Sequence, residues 1–377
     1  MNKLIILLTS LSLISCLNQK NEVVEESLQF YSSDGNFLGR HIEEWENNRL
    51  ISGVMNENSS AASIHFLEPR TWINGNGFFS ILNEQGEQIS SYIDERQGLV
   101  YSHAIPDQSN VFGVGTFENK FLFAMFKKEG DNWLIVKEKT WLAAEYTSGV
   151  IDLIEKTGDN YFVQGRVELT SGKSKIYFAS LNSNGDILWE RIHERQSSYV
   201  LPKSIDYRDN KVKIFIWEYA NNEARVEIAE YTINPTTGLI ENISYGSNDQ
   251  HYIIDAISTT YGLVMIERNV ESKDKLFLLK ENNQWIELKF ETTKDKLRDI
   301  IGKEDYFIVS SIDDSSDELT FHAININANG EILSERMFNN TTSSYILDVA
   351  FIKNEELYFT MTSSLLKFKY VIEFRTQ

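Results

Sequence analysis

Short apolar runs and turn residues alternate along almost the whole chain. Runs rich in Ile, Val, Phe and Tyr are bounded by Asn, Asp and Gly, as in "DNYFVQGRV" at 159–167 and "NEELYFTMT" at 354–362. No helical periodicity persists over three turns and only 4 prolines occur, so the pattern predicts short strands joined by tight turns. The turn-plus-strand phrase recurs seven times: "NNRLISGVM" at 47–55, "SNVFGVGTF" at 109–117, the run at 159–167, "DNKVKIFIW" at 209–217, "TYGLVMIER" at 260–268, "EDYFIVSSI" at 304–312 and the run at 354–362. Most starts lie about 44 to 51 residues apart, near the period of propeller blades.

A second phrase, a hairpin, recurs six times: "SILNEQGEQIS" at 80–90, "AMFKKEGDNWLI" at 124–135, "ASLNSNGDILW" at 179–189, "YTINPTTGLIE" at 231–241, "LLKENNQWIEL" at 278–288 and "ININANGEILS" at 324–334. Asn184-Gly185 and Asn329-Gly330 predict type I′ turns, whose two central residues both need positive φ. Four short strands per unit, repeated about seven times, define an all-β fold: a seven-bladed β-propeller of four-stranded antiparallel blades, with six or eight blades left open by the count. The seventh hairpin is missing, and "SLQFYSS" at 27–33 has strand character. That strand is expected to pair with the C-terminal run "LLKFKYVIEF" at 365–374 and to close the ring, which would otherwise leave exposed strand edges.

An aspartate recurs ahead of the seven-fold phrase. "VIDLI" carries Asp152, "IIDAI" Asp255, "LRDII" Asp299 and "ILDVA" Asp348. The matching places elsewhere are Pro202, Tyr101 and a position near His41. A carboxylate among aliphatic residues is costly to bury without hydrogen bonds. One reading puts the four aspartates around the central channel, able to hold a cation or a basic group. The other has each accept backbone N–H bonds and tie neighbouring blades together. Repetition across units favours the second.

The N-terminus departs from this pattern. Lys3 precedes an apolar run, Leu4 to Leu13, of the length of a signal-peptide core. The run ends in Leu13-Ile14-Ser15-Cys16, which resembles a bacterial lipobox, and Cys16 is the only cysteine in the chain. The resemblance implies cleavage before Cys16 and a diacylglycerol on its thiol. Residues 1–15 are then a lipoprotein signal peptide, 16–26 a lipidated tether and 27–377 the propeller. Two or three acyl chains hold a protein on a bilayer far more firmly than one. A lone cysteine also leaves no intrachain disulfide or thiolate metal site. Leu17 is not the aspartate that retains enteric lipoproteins at the inner membrane, which favours the bacterial outer membrane.

The formal charge is −19, and Lys and Arg never form a stripe. Nucleic acid is therefore not an expected partner, nor is an anionic lipid surface against which the body would lie flat. The hairpin at 179–189 resembles the tryptophan-docking repeat of quinoprotein-like propellers at Ala179, Gly185 and Trp189. Leu181 and Asn184 depart from that motif, and Ser90, Asn242 and Ser334 stand where other units would carry the tryptophan. The whole unit is similar to repeats of large secreted propellers of Bacteroidota-type bacteria. The resemblance implies a propeller fold and an exported lipoprotein, some of which are outer-membrane assembly scaffolds. It carries over no cofactor, because no quinone-site residue matches.

Candidate chemistry is sparse. "NINANG" at 325–330 mimics half of an EF-hand loop, but the twelfth position, which needs a bidentate Glu, is Arg336, and Arg191 in the earlier copy. The six histidines lack zinc-ligand spacing, and no Gly-x-Ser-x-Gly elbow occurs. Two segments break the repeat. The insertion at 56–77 contains His65, Phe66, Arg70 and Trp72, an aromatic and charged set suited to stacking on a sugar or anchoring a protein, or equally to plugging the channel mouth or capping the blade. Asp313, Asp314, Asp317 and Glu318 share one loop, a candidate calcium site or a solvated tip. The expectation is a non-catalytic, monomeric binding or scaffold propeller that recognises an envelope protein or glycan. Possible ligand-binding residues are Trp72, His65, Arg70, Asp152, Asp255, Asp299 and Asp348. The alternative is a glycan-active lyase or hydrolase using channel carboxylates.

Overall fold

A computed structural model describes residues 29–31, 37–55, 76–83, 88–193, 199–219, 226–245, 253–268, 273–280, 284–289, 296–303, 306–312, 319–340, 345–353, 356–363 and 369–374, with most side chains described between 43 and 335. The chain opens with a short strand, β1 (Gln29–Tyr31). The first blade follows: β2 (Phe37–Trp45), β3 (Asn48–Met55), β4 (Asn76–Leu82) and β5 (Gln88–Ile93). The second holds β6 (Val100–Asp107), β7 (Asn110–Phe117), β8 (Lys120–Glu129) and β9 (Asn132–Trp141). The third holds β10 (Ser148–Thr157), β11 (Asn160–Glu168), β12 (Ser174–Leu181) and β13 (Ile187–Ile192). The fourth holds β14 (Tyr199–Arg208), β15 (Lys211–Tyr219), β16 (Val226–Ile233) and β17 (Ile240–Tyr245). The fifth holds β18 (Ile253–Thr259), β19 (Gly262–Glu267), β20 (Lys275–Leu279) and β21 (Trp285–Leu288). The sixth holds β22 (Lys296–Lys303), β23 (Tyr306–Ile312), β24 (Leu319–Ile326) and β25 (Ile332–Asn340). The last three strands are β26 (Tyr345–Lys353), β27 (Glu356–Ser363) and β28 (Lys369–Phe374).

Among the described residues these strands form seven four-stranded antiparallel sheets. The seventh has the order β1-β28-β27-β26, so the N-terminal strand supplies its outer edge, with Phe30 opposite Ile372. The fold is thus an all-β propeller. First strands of neighbouring blades touch (β2 with β6, β6 with β10, β10 with β14, β18 with β22, β22 with β26, and β26 with β2), so they lie innermost. Blades 4 and 5 meet differently, through β15 and β16 against β18.

The recurring apolar phrase is the second strand of each blade. β7 and β11 are buried along their whole length except the end residues, because blades cover both of their faces. The outer strands β9 and β13 are mostly exposed or half-buried, with side chains alternating between the next blade and solvent. Buried clusters span adjacent blades. One joins Phe112, Phe121 and Phe123 of blade 2 to Ile151, Tyr161 and Tyr177 of blade 3. Another joins Phe162 and Phe178 of blade 3 to Ile214 and Tyr231 of blade 4.

The turns correct one expectation. In "NSNG" only Gly185 has positive φ, at 75°, and in "NANG" only Gly330, at 76°. Each loop is a tight turn closed by Gly185 N–H to Asn182 O or Gly330 N–H to Asn327 O, both 2.9 Å, with the glycine in the left-handed region. Asn182 Oδ1 accepts the N–H groups of Asn184 and Asp186, and Asn327 Oδ1 those of Asn329 and Glu331. The asparagine that opens each turn, rather than the Asn-Gly pair, sets the geometry. It also turns inward the oxygen that an EF-hand-like loop would present to a cation. Paired positive φ of the type I′ kind occurs instead at Glu118-Asn119 (50° and 61°) and Asp209-Asn210 (52° and 60°).

Candidate functional site

All seven innermost strands carry a register shift at the same place. The shifts fall between Gly39 and His41, Tyr101 and His103, Ile151 and Leu153, Pro202 and Ser204, Ile253 and Asp255, Leu297 and Ile300, and Leu347 and Ala350. A bulge re-aims the side chains at and beside it. Asp152, Asp299 and Asp348 lie within their bulges, whereas Asp255 follows its bulge. By register the counterparts of Asp255 are His103 and His41, so the sequence match of the second unit to Tyr101 is off by two residues.

The aimed side chains cross blade interfaces. Asp255 is 1 % exposed. Its Oδ1 accepts the Ala256 N–H at 2.8 Å and its Oδ2 the Ile300 N–H of blade 6 at 3.0 Å. His103 of blade 2 makes the same kind of tie to blade 3, with Nδ1 accepting the Ile154 N–H at 3.1 Å. Its Nε2 lies 3.1 Å from Glu43 Oε1 of blade 1. Ser52 Oγ accepts the Ala104 N–H of blade 2 at 2.9 Å. Burial drives the His103 pKa down to about 3, and the accepted N–H bond occupies the nitrogen that a second proton would need. The ring is therefore neutral, with its proton on Nε2 toward Glu43.

Arginines near the ends of second strands make a second tie. Arg166, buried, donates from Nη1 to Val200 O of blade 4 at 2.9 Å and places Nη2 3.3 Å from Asp152 Oδ1. Arg268 donates to Leu297 O of blade 6 at 2.7 Å and to Asp274 Oδ2 at 3.0 Å, and the same carboxylate oxygen accepts the Leu297 N–H at 3.0 Å. Sequence reasoning missed Arg166 and Arg268. The available signal was an arginine at the end of a buried second strand, Arg166 two residues before the end of β11 and Arg268 just past the end of β19.

The insertion has a clamped base. Its ends, Met55 and Asn76, pair with each other at the mouth of β3 and β4. Asn76 Nδ2 donates to Asp94 O at 2.6 Å, and the Asp94 N–H donates to Gly77 O at 2.8 Å. Asp94 takes a fork from Arg96 (2.9 and 2.7 Å) and hydroxyl bonds from Tyr92 and Tyr101 at 3.2 Å. Arg96 also grips Glu138 of blade 2 at 2.8 and 2.6 Å. Burial pushes the Asp94 carboxyl up, but Arg96, through its guanidinium and its backbone N–H, outweighs it and holds the group below its ordinary range. Burial, with the Asp94 charge, pushes the Tyr101 hydroxyl well up. Gly77 is needed here: a Cβ would lie 2.6 Å from the Leu99 and Tyr101 side chains.

Hairpin glycines receive the preceding blade. A Cβ at Gly185 would meet the Phe123 ring of blade 2 at 2.5 Å, one at Gly238 the Trp189 ring of blade 3 at 2.6 Å, and one at Gly330 the Ile286 side chain of blade 5 at 3.0 Å. Trp189 Nε1 also donates to Pro235 O of blade 4 at 2.9 Å. Trp189 thus docks on the following blade, as the resemblance in its hairpin implies. At the first interface the direction reverses, and Trp133 Nε1 of blade 2 donates to Ser90 Oγ at 2.8 Å.

Cys16, His65, Arg70, Trp72, Asp313, Asp314 and Asp317 lie outside the described residues, as do the side chains of Asp299 and Asp348. The structure brings none of the described candidates together. Asp152 serves the interface of blades 3 and 4, and Asp255 that of blades 5 and 6.

Comparison with solved structures places this architecture among the β-propellers. The chain is similar to the polysaccharide lyase Uly1, with 9% identity over 96% of this chain and 94% of that one and a TM-score of 0.55. It is similar to the β-propeller domain of the Trilobed protease from Pyrococcus furiosus, with 9% identity over 92% of this chain and 94% of that one and a TM-score of 0.50. Against the acylaminoacyl peptidase of Pyrococcus horikoshii the identity is 11% and the TM-score 0.49; 88% of this chain is covered, and it spans 49% of the peptidase. The first two likenesses establish the fold and no activity. No protein-family model matches the chain, and no curated protein sequence matches it.

Proposed function

We propose that the chain is a non-catalytic binding or scaffold propeller, held to the bacterial outer membrane by lipid on Cys16, that recognises an envelope protein or glycan. The observation that carries this reading is the use made of the inner-strand ionisable groups. Asp255 and His103 accept backbone N–H bonds from the next blade, and Asp152 faces the buried Arg166. Glycoside hydrolysis needs two carboxyl groups about 5 to 9.5 Å apart across a cleft, and Asp152 and Asp255 serve different interfaces. Recognition is assigned to the insertion, whose described base is fixed by Asn76, Gly77 and the Asp94–Arg96–Glu138 network. A recognition loop on a rigid base loses less ordering entropy on binding.

Two measurements test the reading. Radiolabelled palmitate should enter the wild type and not Cys16→Ala; an unlabelled wild type sinks the anchor. The full chain, captured from solubilised membranes of its host, should retain a partner that Trp72→Ala loses. Equal retention by both removes the insertion from the interface.

A further inference from the structure

A cavity of about 860 Å³ lies between blades 4 and 5, at the end of the blades where the β14–β15 and β18–β19 hairpins turn. Its origin is legible in strand register. Trp189 stands opposite Ser180 just before the outer-strand bulge of blade 3, and in blade 4 the same place, opposite Thr232, holds Asn242. In blade 2 it holds Lys137, opposite Met125, whose ammonium reaches Asn184 of the next hairpin. Blades 1 and 6 hold serines at this place, Ser90 and Ser334, and at the first interface Trp133 of blade 2 reaches back to Ser90; Asn242 is likewise too short to dock as Trp189 does. It lines the cavity, and the described lining holds no aromatic side chain. The inner strands agree: among the described residues blades 4 and 5 meet mainly through β15 and β16 against β18, where other neighbours meet through their first strands.

The lining decides what can enter. Three ion pairs edge the cavity: Lys211–Glu241 at 2.9 Å, Arg208–Asp206 at 3.4 Å and Lys213–Glu230 at 3.8 Å. Asp209 and Lys280 add one further charge of each sign, so the described lining carries four acidic and four basic groups and no net charge to favour an ionic ligand. A neutral ligand with its own donors and acceptors can bond to these groups without separating them. Leu263 and Leu279 add an aliphatic floor, and Thr232 and Asn242 add a hydroxyl and an amide. An aliphatic floor under a rim of donors and acceptors matches a sugar ring, apolar on its C–H faces and hydroxylated at its edge. The volume lies within the roughly 300–1,000 Å³ of small-molecule sites.

We infer that this interblade cavity is a binding site for a neutral oligosaccharide. The inference deepens the binding reading above by naming a ligand class, but it depends on neither the lipid nor the insertion.

Saturation-transfer NMR and calorimetry on the full chain in detergent test it, with chitohexaose, maltohexaose and cellohexaose as neutral probes and a galacturonate hexamer as the anionic comparator. At least one neutral probe should bind more tightly than the galacturonate. Asn242→Trp, which restores the docking side chain, should weaken that binding at least tenfold without lowering the unfolding temperature. Should that variant fold poorly, Asn242→Lys, carrying the residue of the equivalent place in blade 2, provides the same blockade. The capture experiment turns on Trp72 and the sugar titration on position 242, so a failed partner capture and a failed sugar titration are separate results. Binding by none of the neutral probes, preference for galacturonate, or undiminished binding by a folded Asn242 variant overturns the inference.

Discussion

Acidification should destabilise the propeller through a single imidazole. His103 is buried between blades 1, 2 and 3, its Nδ1 holds the Ile154 N–H, and burial drives its pKa down to about 3. In the unfolded chain the same group titrates near its ordinary value of about 6.5. Between these values the unfolded state binds the proton and the fold does not, so stability falls as pH falls. The contribution is complete above the unfolded pKa and lost on the way down to the folded one. From about pH 7 to about pH 4.5 the loss is about 2.5 kcal/mol. Carboxylates held low, among them Asp94 and Asp107, lose stability over an overlapping range, so wild-type data alone cannot isolate the histidine. His103→Asn retains an acceptor for the Ile154 N–H and cannot titrate. Denaturant unfolding followed by tryptophan fluorescence at four pH values in this window should show the variant losing about 2.5 kcal/mol less than wild type. Superimposable pH slopes would refute the assignment of a neutral, blade-bridging His103.

The other expectations concern interfaces. Gly238→Ala puts a methyl 2.6 Å from the Trp189 ring at a φ of +71°, and about 2–4 kcal/mol should be lost from strain and overpacking together. Gly130→Ala, at +62° with nothing within 4 Å, should lose only the backbone share of about 1–2 kcal/mol; thermal unfolding of the pair separates the two costs, and equal losses would contradict the docking of Trp189. Arg166→Met leaves the Asp152 carboxylate buried without its guanidinium and should destabilise by about 3–5 kcal/mol. Adding Asp152→Asn should recover much of that loss, and a strictly additive double variant would count against the pair.

The fold was legible because blades repeat, and repetition averages out local ambiguity. The second strand of each blade is covered on both faces, so its apolar run stands out seven times, and the N-terminal strand betrayed itself as an apolar run before the first unit. Turn chemistry was read less well. Asn-Gly pairs signalled hairpins correctly but for the wrong reason, since the preceding asparagine sets the turn and paired positive φ belongs to Glu118-Asn119 and Asp209-Asn210. The inner-strand bulges were invisible, because a bulge leaves no composition behind. It shifts the count by one, and this separates Asp255 from Asp152 although "IIDAI" and "VIDLI" look alike. Nor could spacing reveal that Arg166 and Arg268 reach the following blade, since that contact depends on how two sheets pack.

A propeller faces the same packing problem at every interface: the outer strand of one blade must cover the hairpin of the next. The place that Trp189 occupies is where each blade answers it, and the answers differ. Trp189 and Ile286 lie against glycines, Lys137 reaches across to Asn184, and Ser90 yields to Trp133 from the following blade. All four fill their gap. Ser334 of blade 6 is shorter still than Asn242, and among the described residues Asn242 lines an open gap edged by ion pairs. Such pairs between solvent-exposed groups add little stability, whereas fully burying a large apolar side chain is worth about 1.5–3 kcal/mol. Stability alone would therefore favour tryptophan at position 242, and this is why Asn242→Trp is expected to hold or raise the unfolding temperature while closing the cavity. A variant that gains stability and loses sugar binding would identify position 242 as the point where interface packing is exchanged for recognition.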